Sequence, residues 1–373
     1  MSYLLVQSQQ SMALDCRRNQ AYAEVLAKVI TPESVVLDLG AGLGIHGLLS
    51  AQLGAKRVYL VEPEDIIAVA GQIIQANGYG DRVKCLQGII EEVNLPEPVD
   101  VIISVFTGNF LLEEDLLPSL FHARDKYLKP DGVLVPQAAV MEAVPVCVPS
   151  LHQEEISIWS KAYMGIDFSP AQPYASHAVY YYKKALSEAQ HLAEPASLFQ
   201  LNFYHSNNTH CQVEATYTIA ESGLCHGWVG WFKMQLGEKW ISTAPHEPPL
   251  HWSAAFLPLD PPIAMTAGEQ VTFRLQRPPF GDWSWQVKTA TAVQQHSTFF
   301  SVPMTLKSLK KASLDYQPQL TERGQAAIYV LSHSDGSLSV QQISDRLVEN
   351  HRDLFNDSKQ ALKFVQSLIK QYG

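Results

Sequence analysis

The chain has 373 residues, of which 46% are hydrophobic and 17% charged, so it is long enough for two or three globular domains with sizeable cores. A net charge of -10 argues against broad binding of nucleic acid through its phosphates. The five cysteines are scattered and form no C-x-x-C pair, so neither a metal site nor a disulfide framework is expected.

The first 18 residues lack a basic start followed by a long apolar core. No stretch is apolar for long enough to indicate a transmembrane helix. The sequence therefore predicts no signal peptide and no membrane partner, and the reducing cytoplasm is the expected location.

Residues 1–30 are typical of helix with an irregular start, and the most informative motif follows them. The apolar run Val35–Leu39 contains one acid, Asp38, and its length predicts a buried parallel strand. A Gly-x-Gly-x-Gly turn comes next, at Gly40, Gly42 and Gly44. Glycines let the backbone turn sharply and approach a ligand closely, so a ligand is expected at this turn.

A second predicted strand, Arg57–Val61, ends in Glu62, where an acid is well placed to accept hydrogen bonds from ribose hydroxyls. A dinucleotide fold would need G-x-G-x-x-G, but here the third glycine comes one residue early. This spacing, with Asp38 two residues before the first glycine, resembles the glycine-turn pattern of the Rossmann-like S-adenosylmethionine-dependent methyltransferases. The ligand of those enzymes carries no phosphate. The alternative is a glycine-rich turn without a ligand in an ordinary doubly wound domain.

Strand and helix patterns alternate over residues 35–145, which predicts right-handed βαβ units and a parallel sheet. The predicted strands are Val35–Leu39, Val58–Val61, Val83–Gln87, Val99–Ser104 and Val133–Pro136, and the clearest helices are Ile66–Asn77 and Glu114–Leu128. Ligands of such sheets bind at the carboxyl ends of the strands. Asp38, Glu62, Gln87 and Ser104 mark those ends, so we expect them to share one crevice.

Beyond about Val135, frequent prolines and short alternating runs predict an antiparallel β domain, a sandwich or barrel. The runs are Gln212–Ile219, Gly227–Leu236, Gln270–Leu275 and Ser284–Thr289. From about Leu306 the pattern returns to helix and indicates a winged-helix-like tail of roughly 65 residues. The predicted domains are therefore 1–135, 136–305 with an arm at about 167–198, and 306–373.

A Rossmann-like domain followed by a β-barrel resembles the protein arginine methyltransferases. Further motifs carry this resemblance over roughly residues 1–300: Met12-x-x-Asp15-x-x-Arg18, Glu91 in Gly88–Val93, the run His122–Gly132, Trp159–Ser169, Gly227–Phe232 and Leu250-His251-Trp252. The resemblance implies an S-adenosylmethionine-dependent enzyme whose arm packs on a neighbouring subunit, hence a homodimer.

The resemblance also assigns roles to single residues. Arg18 is expected to grip the carboxylate of the cofactor, because a guanidinium binds a carboxylate in a bidentate manner, and Glu91 to receive the adenine amino group. His251 is expected to pair with Asp15 and to shape the substrate side. The full set expected to hold the cofactor is Arg18, Asp38, Gly40, Gly42, Gly44, Glu62, Glu91 and Ser104.

One departure from the family concerns its active loop, where two glutamates clamp the guanidinium of the substrate. Glu114 matches the second glutamate, but Val105 replaces the first. Loss of a buried charge-assisted contact costs on the order of 2–5 kcal/mol, so ordinary arginine methylation is doubtful. We expect Glu114 to orient a less charged nucleophile, with Asn109 bonded to the substrate, whereas Glu113 is interpreted as a solvated acid at a helix start.

The tail, an apolar helix, an Asp335-Gly336 turn and two amphipathic helices, resembles the PqqD-like domains of peptide-modifying enzyme clusters. These domains add a leader peptide as an extra strand. The resemblance implies a ribosomally made precursor peptide as substrate, although such helical faces are equally typical of a plain core. A small-molecule N- or O-methyltransferase and a non-catalytic scaffold are the two alternatives.

Overall fold

The structure is a computed structural model that describes residues 5–182, 184–355 and 357–372. The described residues fall into two compact units, divided along the chain between Pro303 and Met304. Among these residues no helix is both long and apolar enough to cross a membrane.

The first unit begins with helices α1 (Val6–Ala13) and α2 (Cys16–Val29) and continues into a parallel sheet of five strands. The strands are β1 (Val35–Leu39), β2 (Arg57–Glu62), β3 (Val83–Gln87), β4 (Val99–Ser104) and β5 (Leu128–Val135), in the order β3-β2-β1-β4-β5. Helices α3 (Ile45–Gln52), α4 (Ile67–Ala76) and α5 (Leu117–Tyr127) lie between them in sequence. The predicted Rossmann-like domain with a central parallel sheet is confirmed.

The register of this sheet explains where a ligand site forms. Leu39 at the end of β1 is level with Val61 of β2 on one side and Ser104 of β4 on the other. The chain leaves β1 toward β2, and β4 pairs on the opposite side, so the strand order reverses at β1. In open sheets of this kind, the crevice for ligands lies at that point, outside the carboxyl ends of the strands.

The connection from β4 to α5, residues 105–116, is here called the active loop. The sequence predicts a helix from Glu114, but this is wrong, because α5 begins at Leu117. Phe110, Leu111 and Asp115 have positive φ angles of 46°, 66° and 52°, which a right-handed helix does not allow. Glu114 therefore belongs to a folded loop.

Two antiparallel sheets complete the first unit. Their strands are β6 (Ala138–Cys147), β7 (Tyr180–Tyr182), β8 (Gln190–His191), β9 (Ala196–Asn202), β10 (Cys211–Thr218), β11 (Gly223–Leu236), β12 (Lys239–Ser242), β13 (Ala254–Met265), β14 (Gln270–Arg277), β15 (Ser284–Lys288) and β16 (Val293–Ser297). One sheet has the order β10-β14-β15-β16, and the other has the order β7-β13-β11-β6-β8, with β12 on β11 and β9 on β6. Short helices α6 (Pro149–Glu155) and α7 (Gln172–Ser176) lie between β6 and β7.

The parallel and antiparallel sheets share one apolar core. Tyr22 of α2 and Trp285 of β15 belong to the same buried cluster, and both are almost fully enclosed. Trp228 stacks on Phe273 with ring centroids 4.8 Å apart inside the antiparallel part. The Tyr22 hydroxyl also donates to the carbonyl oxygen of Ser104 at 2.8 Å, which ties α2 to the end of β4.

The second unit consists of helices in its described residues, 304–355 and 357–372. They are α8 (Leu306–Ala312), α9 (Glu322–Ser332), α10 (Val340–Asn350) and α11 (Ser358–Tyr372). Val330, Leu347 and Val365 are fully buried in a core formed by α9, α10 and α11. The predicted turn is present, since Gly336 has φ 85°. Strand addition of a leader peptide needs an exposed strand edge, and no strand occurs in these described residues, so that expected binding mode lacks its structural basis.

His296 makes the stability of the first unit sensitive to acid. Its ring stacks on Trp285 with centroids 5.3 Å apart, and burial lowers the pKa of His296 from 6.5 to about 4. As the pH falls below 6.5, His296 is protonated in the unfolded chain before it is protonated in the folded protein. The stability that the neutral, buried ring contributes is therefore complete above pH 6.5 and is lost as the pH falls toward 4.

We predict that His296→Gln reduces the loss of unfolding free energy between pH 7 and pH 5 by about 1–2 kcal/mol. Urea denaturation at both pH values measures this difference. His210→Gln, at an exposed histidine, serves as the control and should leave the loss unchanged. Equal acid sensitivity of wild type and His296→Gln would contradict the prediction.

Candidate active site

A cavity of ≈ 320 Å³ opens at the carboxyl ends of β1 and β2, within the range of roughly 300–1,000 Å³ typical of ligand sites. Six residues that the sequence analysis singled out line it: Arg18, Gly40, Gly42, Glu62, Glu91 and Glu114. Val105, at the position of the missing glutamate, lines the same cavity.

The glycine turn is held open by the carboxylate of Glu62. The Gly42 N–H donates to Glu62 Oε2 at 2.9 Å, and the Glu64 N–H donates to Oε1 at 3.1 Å. Burial raises the pKa of Glu62, which these hydrogen bonds oppose. Gly40 has φ 68°, and a Cβ there would lie 2.3 Å from Phe106 Cε1, so only glycine fits at this position.

Arg18 places a buried guanidinium cation in the wall of the cavity. The residue is 2% exposed, and its Nη2 donates to the Met12 carbonyl oxygen at 2.5 Å and to Asn19 Oδ1 at 3.1 Å. Burial lowers the pKa of Arg18, yet within the described part of the chain it has no carboxylate within 4.0 Å. A buried guanidinium without an ion pair is costly, so this wall of the cavity suits a ligand carboxylate.

Three residues expected to hold the cofactor do not line the cavity. Asp38 accepts from the Gly47 N–H at 2.7 Å and so fixes α3; burial raises the pKa of Asp38 to about 7. Gly44 precedes α3 with φ 78°, packed near Leu60. Ser104 is buried at the end of β4. Asp38 thus shapes the cavity by fixing the start of α3, and the ligand contacts expected of these three residues stay predictions.

The pairing of Asp15 with His251 is present. Asp15 caps α2 through the Arg18 N–H at 3.1 Å, and its Oδ2 lies 2.7 Å from the His251 N and 3.1 Å from His251 Nδ1. Burial alone would raise the pKa of Asp15, but the hydrogen bonds from His251 and the backbone lower it to about 2. The pair therefore joins the start of α2 to the loop before β13, and neither residue lines the cavity.

Asn109 has a partner within the protein and does not line this cavity, so its expected bond to the substrate stays a prediction. Its Oδ1 accepts the Ser253 N–H at 2.9 Å, which ties the active loop to the segment after His251. Glu91 lines the cavity and accepts from the Ser119 hydroxyl at 2.6 Å. The expected catalytic residues thus form two groups, Glu114 at the cavity and the Asp15, His251 and Asn109 set that holds the surrounding loops.

Sequence analysis missed Gln9, His46 and Phe106, which also line the cavity. His46 stacks on Tyr22 with centroids 4.4 Å apart, and its Nε2 is enclosed without a hydrogen-bond partner in the described structure. Burial, followed by the charge of Arg18, holds the pKa of His46 well below its usual range, so the ring is neutral. The sequence feature that could have indicated His46 is its position as a single histidine in the apolar stretch that follows Gly44.

Comparison with known proteins agrees with both halves of the first unit. Residues 36–132 match a family described as "Methyltransferase domain", and residues 137–288 match "Arginine methyltransferase oligomerization subdomain". Protein arginine N-methyltransferase 2 of Homo sapiens is 30% identical over 296 residues, which cover 74% of this chain and 68% of that protein. Protein arginine N-methyltransferase 6 of Xenopus laevis is 32% identical over 250 residues, covering 64% and 73%.

The chain belongs to the protein arginine methyltransferase family. A solved structure from Trypanosoma brucei, the enzyme-prozyme heterotetrameric complex of protein arginine methyltransferase 1 with AdoHcy, matches with TM-score 0.72 and 27% identity, covering 80% of this chain and 99% of that one. The predictions of a methyltransferase and of S-adenosylmethionine as its methyl donor are confirmed by this membership.

Proposed function

We propose that this family member methylates a side-chain nitrogen of a peptide or protein (an amide, imidazole or guanidine), with an amide or imidazole preferred to the guanidinium of an ordinary arginine substrate. The observation that carries the proposal is Val105, an apolar side chain in the wall of the cavity that Glu114 also lines. A guanidinium cation favours two carboxylates, one for charge and one for orientation. An amide or imidazole nitrogen needs less negative charge, so the single carboxylate of Glu114 suits it better.

The cavity fits the methyl donor on physical grounds. Arg18 supplies a buried cation for the carboxylate of S-adenosylmethionine, and Glu62 supplies acceptors for its ribose hydroxyls. Gly40 and Gly42 leave room for close approach of the ligand to the backbone. Glu91 is proposed to meet the adenine amino group.

S-adenosylmethionine supplies an electrophilic methyl group on a positively charged sulfur. On the protein side, Glu114 orients the nucleophilic nitrogen and accepts its proton. Arg18 and Glu62 hold the donor, while Val105 and Phe106 reduce access of water to that part of the cavity. Catalysis then depends mainly on positioning, since no covalent enzyme intermediate is required.

Other parts of the proposal concern assembly. We propose that the antiparallel sheets form the barrel-like substrate domain and that the segment between β6 and β7 is a dimerisation arm. Tyr163, Met164 and Ile166 are 69%, 83% and 58% exposed there, which is unusual for large apolar side chains. These three exposed apolar residues precede the expected arm at 167–198.

The cytoplasm stays the expected location of the protein.

Arg18→Met is predicted to weaken binding of S-adenosylmethionine at least about tenfold and to leave 5′-methylthioadenosine, which lacks the carboxylate, unaffected. Glu62→Gln should weaken both ligands, because both carry the ribose. Isothermal titration calorimetry measures the four affinities.

Arg17→Met provides the matched control, since Arg17 precedes Arg18 in α2 but pairs with Glu247 at 3.0 Å outside the cavity. Both ligands should bind this variant as they bind the wild type. Equal losses of the two ligands in Arg18→Met would refute the role of Arg18 as a carboxylate anchor.

Val105→Glu is predicted to raise methyl transfer to an arginine-containing peptide about 30-fold or more, because it restores the second carboxylate. Transfer of labelled methyl from S-adenosylmethionine measures the gain. Val105→Gln, similar in size but uncharged, should give no such gain. A wild type that already methylates the peptide as fast as Val105→Glu would contradict the proposal.

Removal of residues 304–373 tests the proposed peptide substrate, because these residues form a separate compact unit with a core of their own. We propose that this unit holds the substrate peptide on its helical faces and so raises its effective concentration. The truncated protein should bind S-adenosylmethionine normally, while the KM for the peptide rises about tenfold or more. An unchanged KM would favour the alternative of a small-molecule methyltransferase.

A further inference from the structure

The carboxylates on both sides of Glu114 are bound by side chains of the antiparallel part. Glu113 Oε2 accepts hydrogen bonds from the Tyr181 hydroxyl and, at 3.0 Å, from Trp283 Nε1. Asp115 receives two bonds from Arg277, Nη1 to Oδ1 at 2.7 Å and Nη2 to Oδ2 at 2.6 Å. Glu113 is exposed, as the sequence suggested, but it lies in the active loop and not at a helix start, and one of its oxygens is bonded to the antiparallel part.

These contacts form one connected cluster beneath the active loop. The side chains of Arg277 and Asp115 are 6% and 14% exposed, so their bidentate pair is shielded from water. The Arg277 guanidinium lies 5.4 Å from the ring centroid of Trp283, and that ring lies 5.0 Å from the ring of Phe110. The two carboxylates are thus held by neighbouring groups that pack on each other.

The backbone of the active loop requires such restraint. Phe110, Leu111 and Asp115 adopt positive φ, a conformation that costs non-glycine residues on the order of 1–3 kcal/mol each and persists only where the surroundings impose it. Gly108 is crowded as well, since a Cβ there would lie 2.8 Å from the Glu114 N. Without external contacts, this loop would relax to other conformations.

We propose that Arg277 and Trp283 are positioning residues for methyl transfer: they fix Asp115 and Glu113, and thereby keep Glu114 between them at the cavity. This inference rests on the proposed role of Glu114 in orienting the acceptor. Neither Arg277 nor Trp283 lines the cavity, so they act through the loop and not by contact with donor or acceptor.

Arg277→Met and Asp115→Asn test the proposal, with Arg274→Met as the matched control. Arg274 lies on the same strand and pairs with Glu214, and it makes no hydrogen bond or ion pair with residues 105–116, all of which the structure describes. Steady-state transfer to the acceptor peptide, calorimetry with S-adenosylmethionine, and amide hydrogen exchange over residues 106–116 are measured for each folded variant. Arg277→Lys tests whether a positive charge without the bidentate guanidinium restores part of the activity.

The expected result is a fall in kcat of at least about tenfold in both variants, with the dissociation constant for S-adenosylmethionine within about threefold of wild type. Exchange in the active loop should be faster in both, with partial recovery of kcat in Arg277→Lys and no change in Arg274→Met. A lower melting temperature without loss of kcat in either folded variant overturns the proposal, as does unchanged loop exchange. If wild type methylates no peptide, the proposed function fails, and loop exchange alone decides the positioning role.

Discussion

The hydrogen bond from the Gly42 N–H to Glu62 is the contact on which the site depends most. It joins the glycine turn after β1 to the end of β2 at 2.9 Å and so fixes the backbone of that turn. Asp38 of β1 acts in a similar way, because its carboxylate accepts the Gly47 N–H and so anchors the first turn of α3. Buried carboxylates that accept backbone N–H groups therefore set the shape of the cavity, and Arg18 supplies the positive charge on its wall.

The antiparallel part determines the position of the active loop. Asn109 bonds to Ser253 and Asp115 bonds to Arg277, and each bond joins residues more than one hundred positions apart in sequence. Asp15, at the start of α2, bonds to His251 in the same segment as Ser253. The two parts also share one apolar core, so these polar contacts lie on a rigid base. Cofactor binding belongs to the parallel sheet, whereas the geometry around Glu114 is set jointly by both parts.

Sequence reasoning succeeds where short-range rules dominate. The strands Val35–Leu39 and Val99–Ser104 were predicted at their observed bounds, because continuous apolar runs of that length are typical of buried parallel strands. Strand β13 was missed, since Pro258, Pro261 and Pro262 obscure its pattern. The contacts of Glu113 and Asp115 were also missed, because they join residues distant in sequence and depend on a loop conformation that no local pattern encodes.

A crystal structure with bound S-adenosylhomocysteine would test the central claim most directly, because it shows the ligand in the cavity at the end of β1 and β2. The account predicts that its carboxylate accepts hydrogen bonds from the Arg18 guanidinium and that its ribose hydroxyls donate to Glu62. It also predicts that Val105 and Glu114 border the space beyond the sulfur. A ligand bound elsewhere, or bound here with its carboxylate away from Arg18, would contradict the account.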